Sequence, residues 1–448
     1  MSIVMQLLKN TQACALALLL TFTATSKAEL LFTSDATAVT ITGSNPQATG
    51  VLIIPTTINN LPVTSIGDGA FAYCSGLTSV TLPNSLTSIG QKAFAECTGL
   101  TSVNIPNNVT SISDYAFWHC TRLTRFSVDI ANTTFSSNDG VLFNKAQTSL
   151  LSFPNGKARG YTIPDSVTSI GSWAFANCNG LTSVTLPNSL TSIGSWAFAN
   201  CNGLTSMTLP DSLTSIGSWA FANCNGLTSM TLPDNVTSIG DYAFYNCTGL
   251  TSVTIPNSVT FIGDYAFEWC AGLTSVTIPN SVTSIGASAF YYCTGLTNIT
   301  IGNSVISIGD YAFRGCTGLT SVRFMGNAPT VGTAVFYDAP NVTLYYIAGK
   351  TGWDASFADR PTALSAPVEP PTGPVNTLEL QVATDLTNPI WIPVATNSVP
   401  KSGAQQFYQM RASVLEVTVD LENPTWTPVL TNSLPDTINE LFYRLVAR

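Results

Sequence analysis

The sequence predicts a repeat solenoid, built of 23-residue units with a parallel β-ladder and short helical turns, followed by a small all-β C-terminal module. Three observations carry this. The fourteen residues IGSWAFANCNGLTS run from Ile170 to Ser183 and recur verbatim from Ile193 to Ser206 and from Ile216 to Ser229. Aligned on Ala-Phe-x-x-Cys, phenylalanines fall at 71, 94 and 117 and then every 23 residues from 175 to 336. Apolar residues make up 45% of the chain and recur with the same period, whereas charged residues make up only 9%, a pattern that argues against disorder. Such a chain grows by adding coils, each packed only on its neighbours.

The elements follow in order. Residues 1–28 hold Lys9, an apolar run from Ala13 to Leu20, and the small-residue ending Ser26-Lys27-Ala28. This reads as a secretory signal peptide with cleavage after Ala28, and hence as a secreted or cell-surface chain. The run is too short for a comfortable transmembrane span, and no later stretch is long and apolar enough to replace it. Residues 29–62 are expected to cap the N-terminal end, and 63–341 to form the solenoid.

Each solenoid unit has three parts. In LTSVTLP, the Leu, Val and Leu suit a short strand that points them inward, and Pro ends it. In NSLTSIG, inward Leu and Ile stand three apart. In SWAFANCNG, Ala, Phe and Cys at i, i+1 and i+4 suit one face of a helical turn. Its N-cap is expected three residues before Phe, at Asp68, Asp114, Ser172, Ser195, Ser218, Asp241, Asp264, Asp310 and Thr333. Gln91 and Ala287 break that series, so their turns are expected to fray. An acid/base or metal role for these aspartates is the weaker reading, since Ser replaces Asp freely.

One interval differs: Phe117 to Phe175 spans 58 residues, which sets an extended unit at about 121–160. Residues 342–364, including LYYIAGKTGWDASFADR, break the period and read as the C-terminal cap. Residues 365–376 are a Pro-rich linker. Residues 377–448 read as a tandem β module, because DLTNPIWIPVATNSVP at Asp385 matches DLENPTWTPVLTNSLP at Asp420. Trp391 and Trp426 are read there as core residues before ligand contacts.

The units, the opening IPTTINNLPVTSIGDGAF (Ile54 to Phe71) and the long interval with NDGVLFNKAQTSLLSFPNGKARGYTIPDSVTSIG (Asn138 to Gly171) together resemble the BspA-like class of the leucine-rich-repeat family. The resemblance covers about residues 29–360. It implies a leucine-rich-repeat solenoid of secreted or surface-displayed type, whose relatives are associated with adhesion to host or matrix proteins and to other cells.

Catalytic and cofactor chemistry find little support. Ten of eleven cysteines lie three residues after a repeat phenylalanine, a slot that Ala339 also fills, so they are expected to be buried free thiols rather than disulfides. A metal site is not expected, for there is no CxxC pair and the one histidine is His119. His119 precedes Cys120, but adjacent residues on one turn point apart, which disfavours a catalytic pair. No phosphate loop or nucleophile elbow occurs, and no cofactor is expected. The formal charge of −9 and the lack of a Lys/Arg cluster make nucleic acid a poor partner.

The expected function is non-catalytic binding to a protein or glycan partner, with adhesion as what the resemblance implies. The alternative is a structural or spacer component of the cell envelope or extracellular matrix. The candidate ligand-binding residues are Trp173, Trp196, Trp219, Tyr242 and Tyr265, two before each buried Phe and expected to point outward in a row about 4.8 Å apart. The competing account is that these rings stack on one another to shield the coils.

Overall fold

The computed structural model describes residues 28–157 and 159–365, together with the strands Asn376–Ala383, Ile392–Val399, Phe407–Met410 and Leu441–Ala447. The chain divides into two compact units, Met1–Leu364 and Ser365–Arg448. Residues 1–27 of the expected signal peptide, most of the Pro-rich segment, Trp391 and Trp426 lie outside the described residues.

Unit one is a β-solenoid of about thirteen turns of roughly 23 residues. Two sides of each coil are parallel ladders. The more continuous ladder is made by the shorter strands: pairs such as Ser169–Ile170, Ser192–Ile193 and Ser215–Ile216 hydrogen-bond in register through to Thr330–Val331. The LTSVT side forms a second ladder in shorter runs, for example Val276 beside Ile299 and Ile299 beside Val322. Because every coil repeats the same pattern, like residues lie above like. Phe175 and Phe198 stack at 4.8 Å, and the column continues to Phe336, with Phe313 and Phe336 5.4 Å apart. Leu190, Leu204 and Cys201 are wholly buried around it.

The hydroxyls that fill the polar positions bind coil to coil. Thr191 Oγ1 donates to Thr168 O at 3.0 Å, Thr214 Oγ1 to Thr191 O at 3.1 Å, and Ser212 Oγ to Leu190 O at 2.6 Å. Neutral donors of this kind satisfy carbonyls without a charge to desolvate, which accounts for a surface rich in Ser and Thr and poor in ions.

The third side corrects the sequence reading. Among the described residues there is no helix, and Ala-Phe-x-x-Cys is a string of tight turns. The N–H groups of Ala174, Ala176 and Cys178 reach back three residues, to Gly171, Trp173 and Phe175. Those of Trp173, Phe175 and Asn177 instead donate to Ser195, Ala197 and Ala199 in the next coil. Trp173 and Asn177 have φ of 64° and 62°. A right-handed helix cannot pass through a residue at positive φ, so alternate amides turn outward to the neighbouring coil.

The expected N-caps act between coils for the same reason. Asp68 Oδ1 accepts the amide of Gln91 at 2.7 Å, Asp241 Oδ1 that of Asp264 at 2.9 Å, and Asp264 Oδ1 that of Ala287 at 2.7 Å. Gln91 and Ala287, expected to fray, are thus tied down by the coil before them.

At the N-terminal end, Glu29–Ser34 pairs antiparallel with Val39–Asn45, which runs parallel to Leu61–Ile66. At the other end Arg360–Leu364 extends the second ladder beyond Thr343–Tyr346, and Trp353 packs on Phe324 and Tyr346 at 4.7 and 5.3 Å. The extended unit holds the hairpin of Phe135–Asn138 and Val141–Asn144. It partitions the interior: Leu142 joins the N-terminal core, whereas Val141 and Phe143 join the C-terminal one. Burial on both faces is why Val-Leu-Phe is apolar without alternation.

In unit two the four strands form one antiparallel sheet in the order Ile392–Val399, Asn376–Ala383, Leu441–Ala447, Phe407–Met410. The two matching Phe-Tyr segments pair directly, Tyr408 beside Tyr443.

Candidate functional site

Each phenylalanine is flanked by two residues at positive φ, two before it and two after it, which generates two columns down the solenoid. The first column reads Gly69, Lys92, Tyr115, Trp173, Trp196, Trp219, Tyr242, Tyr265, Ser288, Tyr311 and Ala334, with φ between 52° and 64°. The second reads Tyr73, Glu96, His119, Asn177, Asn200, Asn223, Asn246, Trp269, Tyr292, Gly315 and Asp338, with φ between 53° and 73°. A non-glycine residue there costs roughly 1 kcal/mol, and the columns show what offsets it.

In the first column the five candidate rings are brought together. Trp173 and Trp196 lie 4.5 Å apart, Trp196 and Trp219 4.3 Å, Trp219 and Tyr242 3.9 Å, and Tyr242 and Tyr265 4.4 Å, with interplanar angles of 6° to 11°. All five are half-buried. Their faces cover one another, so the row presents ring edges. A sugar that needs an open ring face finds none along its middle.

The second column repeats the logic with amides. Asn200 Nδ2 donates to Asn177 Oδ1 at 3.0 Å, Asn223 to Asn200 at 2.9 Å, and Asn246 to Asn223 at 2.8 Å. Above it His119 Nδ1 meets Glu96 Oε2 at 2.6 Å, and below it Trp269 and Tyr292 stack at 4.6 Å. His119 therefore faces Glu96, while Cys120 Sγ donates to Phe94 O at 3.2 Å, so the two side chains are separately engaged. Sequence reading missed the asparagine ladder and the Trp269 stack. The 23-residue recurrence of Asn and aromatic residues two after each Phe was the available signal.

All ten described cysteines are buried and unpaired. Eight donate to the carbonyl of a phenylalanine 26 residues earlier, as Cys224 Sγ does to Phe198 O at 3.1 Å. Burial pushes the thiols of Cys120, Cys178, Cys247 and Cys316 up to about 12, which keeps them protonated and poor nucleophiles. Among the described residues no cluster of His, Cys, Asp and Glu could hold a metal ion.

The aromatic row also continues past the five candidates. Tyr115, 58 residues upstream, lies 4.4 Å from Trp173 but tilted by 50°. Between their coils runs Ser152–Asn155 of the extended unit, which contributes no ring to the column. A cavity of about 160 Å³ opens at this wedge, lined in part by Asp114, Tyr115, Trp118, Ser152 and Trp173.

The repeat architecture decides the family. The BspA type Leucine rich repeat region, in six copies, matches residues 53–159, 151–271 and 237–351. The chain belongs to this family. Among solved structures, this BspA-type chain is similar to a leucine-rich repeat protein from Bacteroides ovatus, at 27% identity over 72% of this chain and 84% of that one, with a TM-score of 0.46. It is also similar to a leucine rich cell surface protein from Faecalibacterium prausnitzii, at 27% identity over 67% and 94%, with a TM-score of 0.38. The pneumococcal vaccine antigen PcpA matches at 18% identity over 76% and 97%, with a TM-score of 0.40. No curated protein matches this chain.

Proposed function

We propose that this BspA-type protein is a secreted or cell-surface recognition protein. It holds a protein or glycan partner on the side carrying Trp173, Trp196, Trp219, Tyr242 and Tyr265, and performs no catalysis. The supporting observation is the half-exposed aromatic row, continuous over five coils and fixed by the ladders on either side. Large aromatic edges at fixed spacing lose little freedom on binding, which suits them to contact a partner. The buried, protonated thiols and the engagement of His119 by Glu96 support a non-catalytic reading. The leader read in residues 1–28 supports export.

A structural or spacer role is the second reading, favoured by the same stack: with each ring face covered by the next, the row has a full account in packing. The triple variant Trp173→Ala, Trp196→Ala, Trp219→Ala separates the two. Binding to matrix proteins and to a glycan array is measured beside the melting temperature. Recognition requires that binding to a verified partner be lost, and unchanged binding with a lowered melting temperature overturns the reading.

A further inference from the structure

The extended unit changes the charge of the surface as well as the period. Between Ala28 and Leu364 half of the lysines and arginines fall in residues 122–159, and none falls in residues 160–313, where every charged side chain is acidic. Dispersed in the sequence, four of these cations are gathered by the fold. Gly156 N donates to Leu123 O at 2.7 Å, which sets Lys157 and Arg159 beside the segment that carries Arg122. Gly140 packs so closely on that segment that a side-chain carbon on it would stand 3.0 Å from the Arg125 Cβ. Next to Gly140, Asp139 engages Lys157, whose Nζ lies 2.6 Å from Asp139 O and 3.0 Å from Asp139 Oδ2. Arg122, Arg125 and Arg159 are exposed, and among the described residues their guanidinium groups make no hydrogen bond or ion pair. The strands on either side, Ser102–Ile105 and Leu181–Thr185, carry no acid.

We propose that Arg122, Arg125 and Arg159 form a binding site for an acidic glycan, a chain of sugars bearing carboxylate or sulfate groups. Three unpaired cations held close together repel one another, and an anion between them offsets that repulsion. The guanidinium fork matches the paired oxygens of a carboxylate or sulfate, and it stays charged at any physiological pH. The chain as a whole, at a formal charge of −9, repels anions, so the local field of the arginines directs an anion to this one place. The groups around them are neutral hydroxyls and amides, which favours a sugar chain over an acidic peptide. Arg125 pairs in register with Ser102, Ser127 Oγ donates to Asn104 Oδ1 at 3.0 Å, and Thr182 Oγ1 donates to Arg159 O at 2.7 Å. Such a face can trade hydrogen bonds with sugar hydroxyls on both sides of the ion pairs. The site goes beyond the aromatic row and does not rest on it, for the arginines lie on the side of the LTSVT ladder and the rings on the side of the tight turns.

The test is biolayer interferometry of the full chain over immobilised hyaluronate, whose charges are carboxylates, and heparin, most of whose charges are sulfates. Dextran, poly-L-glutamate and an oligothymidylate serve as the neutral-glycan, acidic-peptide and nucleic-acid arms. Binding to at least one acidic glycan is expected, with affinity falling about tenfold between 50 and 200 mM salt, the dependence of roughly two released counterions. Arg122→Gln, Arg125→Gln and Arg159→Gln are each expected to weaken it by about fivefold and the triple variant to abolish it. The melting temperature should stay unchanged, because all three side chains are exposed and unpaired. Trp219→Ala, in mid-row, is expected to leave the binding intact, so failure of this site and failure of the aromatic row are told apart. Binding to neither acidic glycan overturns the proposal, as does tighter binding to dextran, poly-L-glutamate or the oligothymidylate. Acidic-glycan binding that survives in the triple variant overturns it as well.

Discussion

The Oδ1 of Asp264 accepts the backbone amide of Ala287, 23 residues later, at 2.7 Å. A side chain of one coil thereby completes the backbone of the next, at a position where the alanine has no capping group of its own. Asp264→Ala leaves that amide without its acceptor and is expected to cost about 1 kcal/mol, with Asp264→Asn recovering most of it. Denaturant unfolding of the three proteins checks this. Equal loss for both variants would show that the carboxylate oxygen is not what holds the amide.

The positive φ of Trp196, 60°, gives a test of turn against helix. In a helical turn Ala would be better than Gly by about 1 kcal/mol, whereas in the left-handed region the order inverts by a similar amount. Trp196→Gly is therefore expected to be more stable than Trp196→Ala, both falling below the parent because two stacked contacts are lost. Thermal melts of the pair decide it, and a more stable alanine variant would restore the helical turn.

The buried thiols set an alkaline limit. For Cys120, Cys178, Cys247 and Cys316 the folded value is about 12 against an ordinary 9.0. Above the ordinary value the unfolded chain releases protons that the folded chain retains. The unfolded state then binds fewer protons, so stability is complete below pH 9.0 and falls as pH rises toward 12. Each thiol contributes a slope of about 1.4 kcal/mol per pH unit. Melts across this range should show a steep alkaline loss, shallower in Cys247→Ala whatever that variant's own cavity costs. The same thiols should resist a labelling reagent in the native protein and react after denaturation. An unchanged slope in Cys247→Ala would assign the alkaline loss to other groups.

Coil-by-coil packing predicts tolerance of whole-unit deletion. Removing Ile193 to Ser215 places Ser192 directly before Ile216 and restores both ladders and both columns, so the shortened chain is expected to remain soluble and cooperative. Removing half a coil at the same place shifts every inward residue out of its column and is expected to aggregate. Size-exclusion chromatography compares them.

Much of the fold was legible because inward residues recur with the coil: Phe175, Leu190, Ile193 and Cys201 could be placed from spacing alone. The turn around Phe was not. Ala, Phe and Cys at i, i+1 and i+4 fit a helical face and a string of tight turns equally well, and the sign of φ leaves no mark on a tryptophan. Gly69 in one column and Gly315 and the asparagines in the other are the residue types at home in the left-handed region, and they carried the only hint. The five rings of the candidate row were legible for the same periodic reason. The wedge at Tyr115 was hidden, because it joins residues separated by the one interval that departs from the period.

The asparagine ladder and the aromatic row have a consequence for inheritance. Over Ile170 to Ser229 three coils are interchangeable, so a coil duplicated or lost there by unequal crossing-over meets the same ring, amide and thiol on both sides. Where Glu96 faces His119, or Trp269 faces Tyr292, the neighbours are matched as particular pairs, and an added copy would separate them. The gene can therefore lengthen or shorten this protein at its uniform middle while its distinctive ends stay fixed.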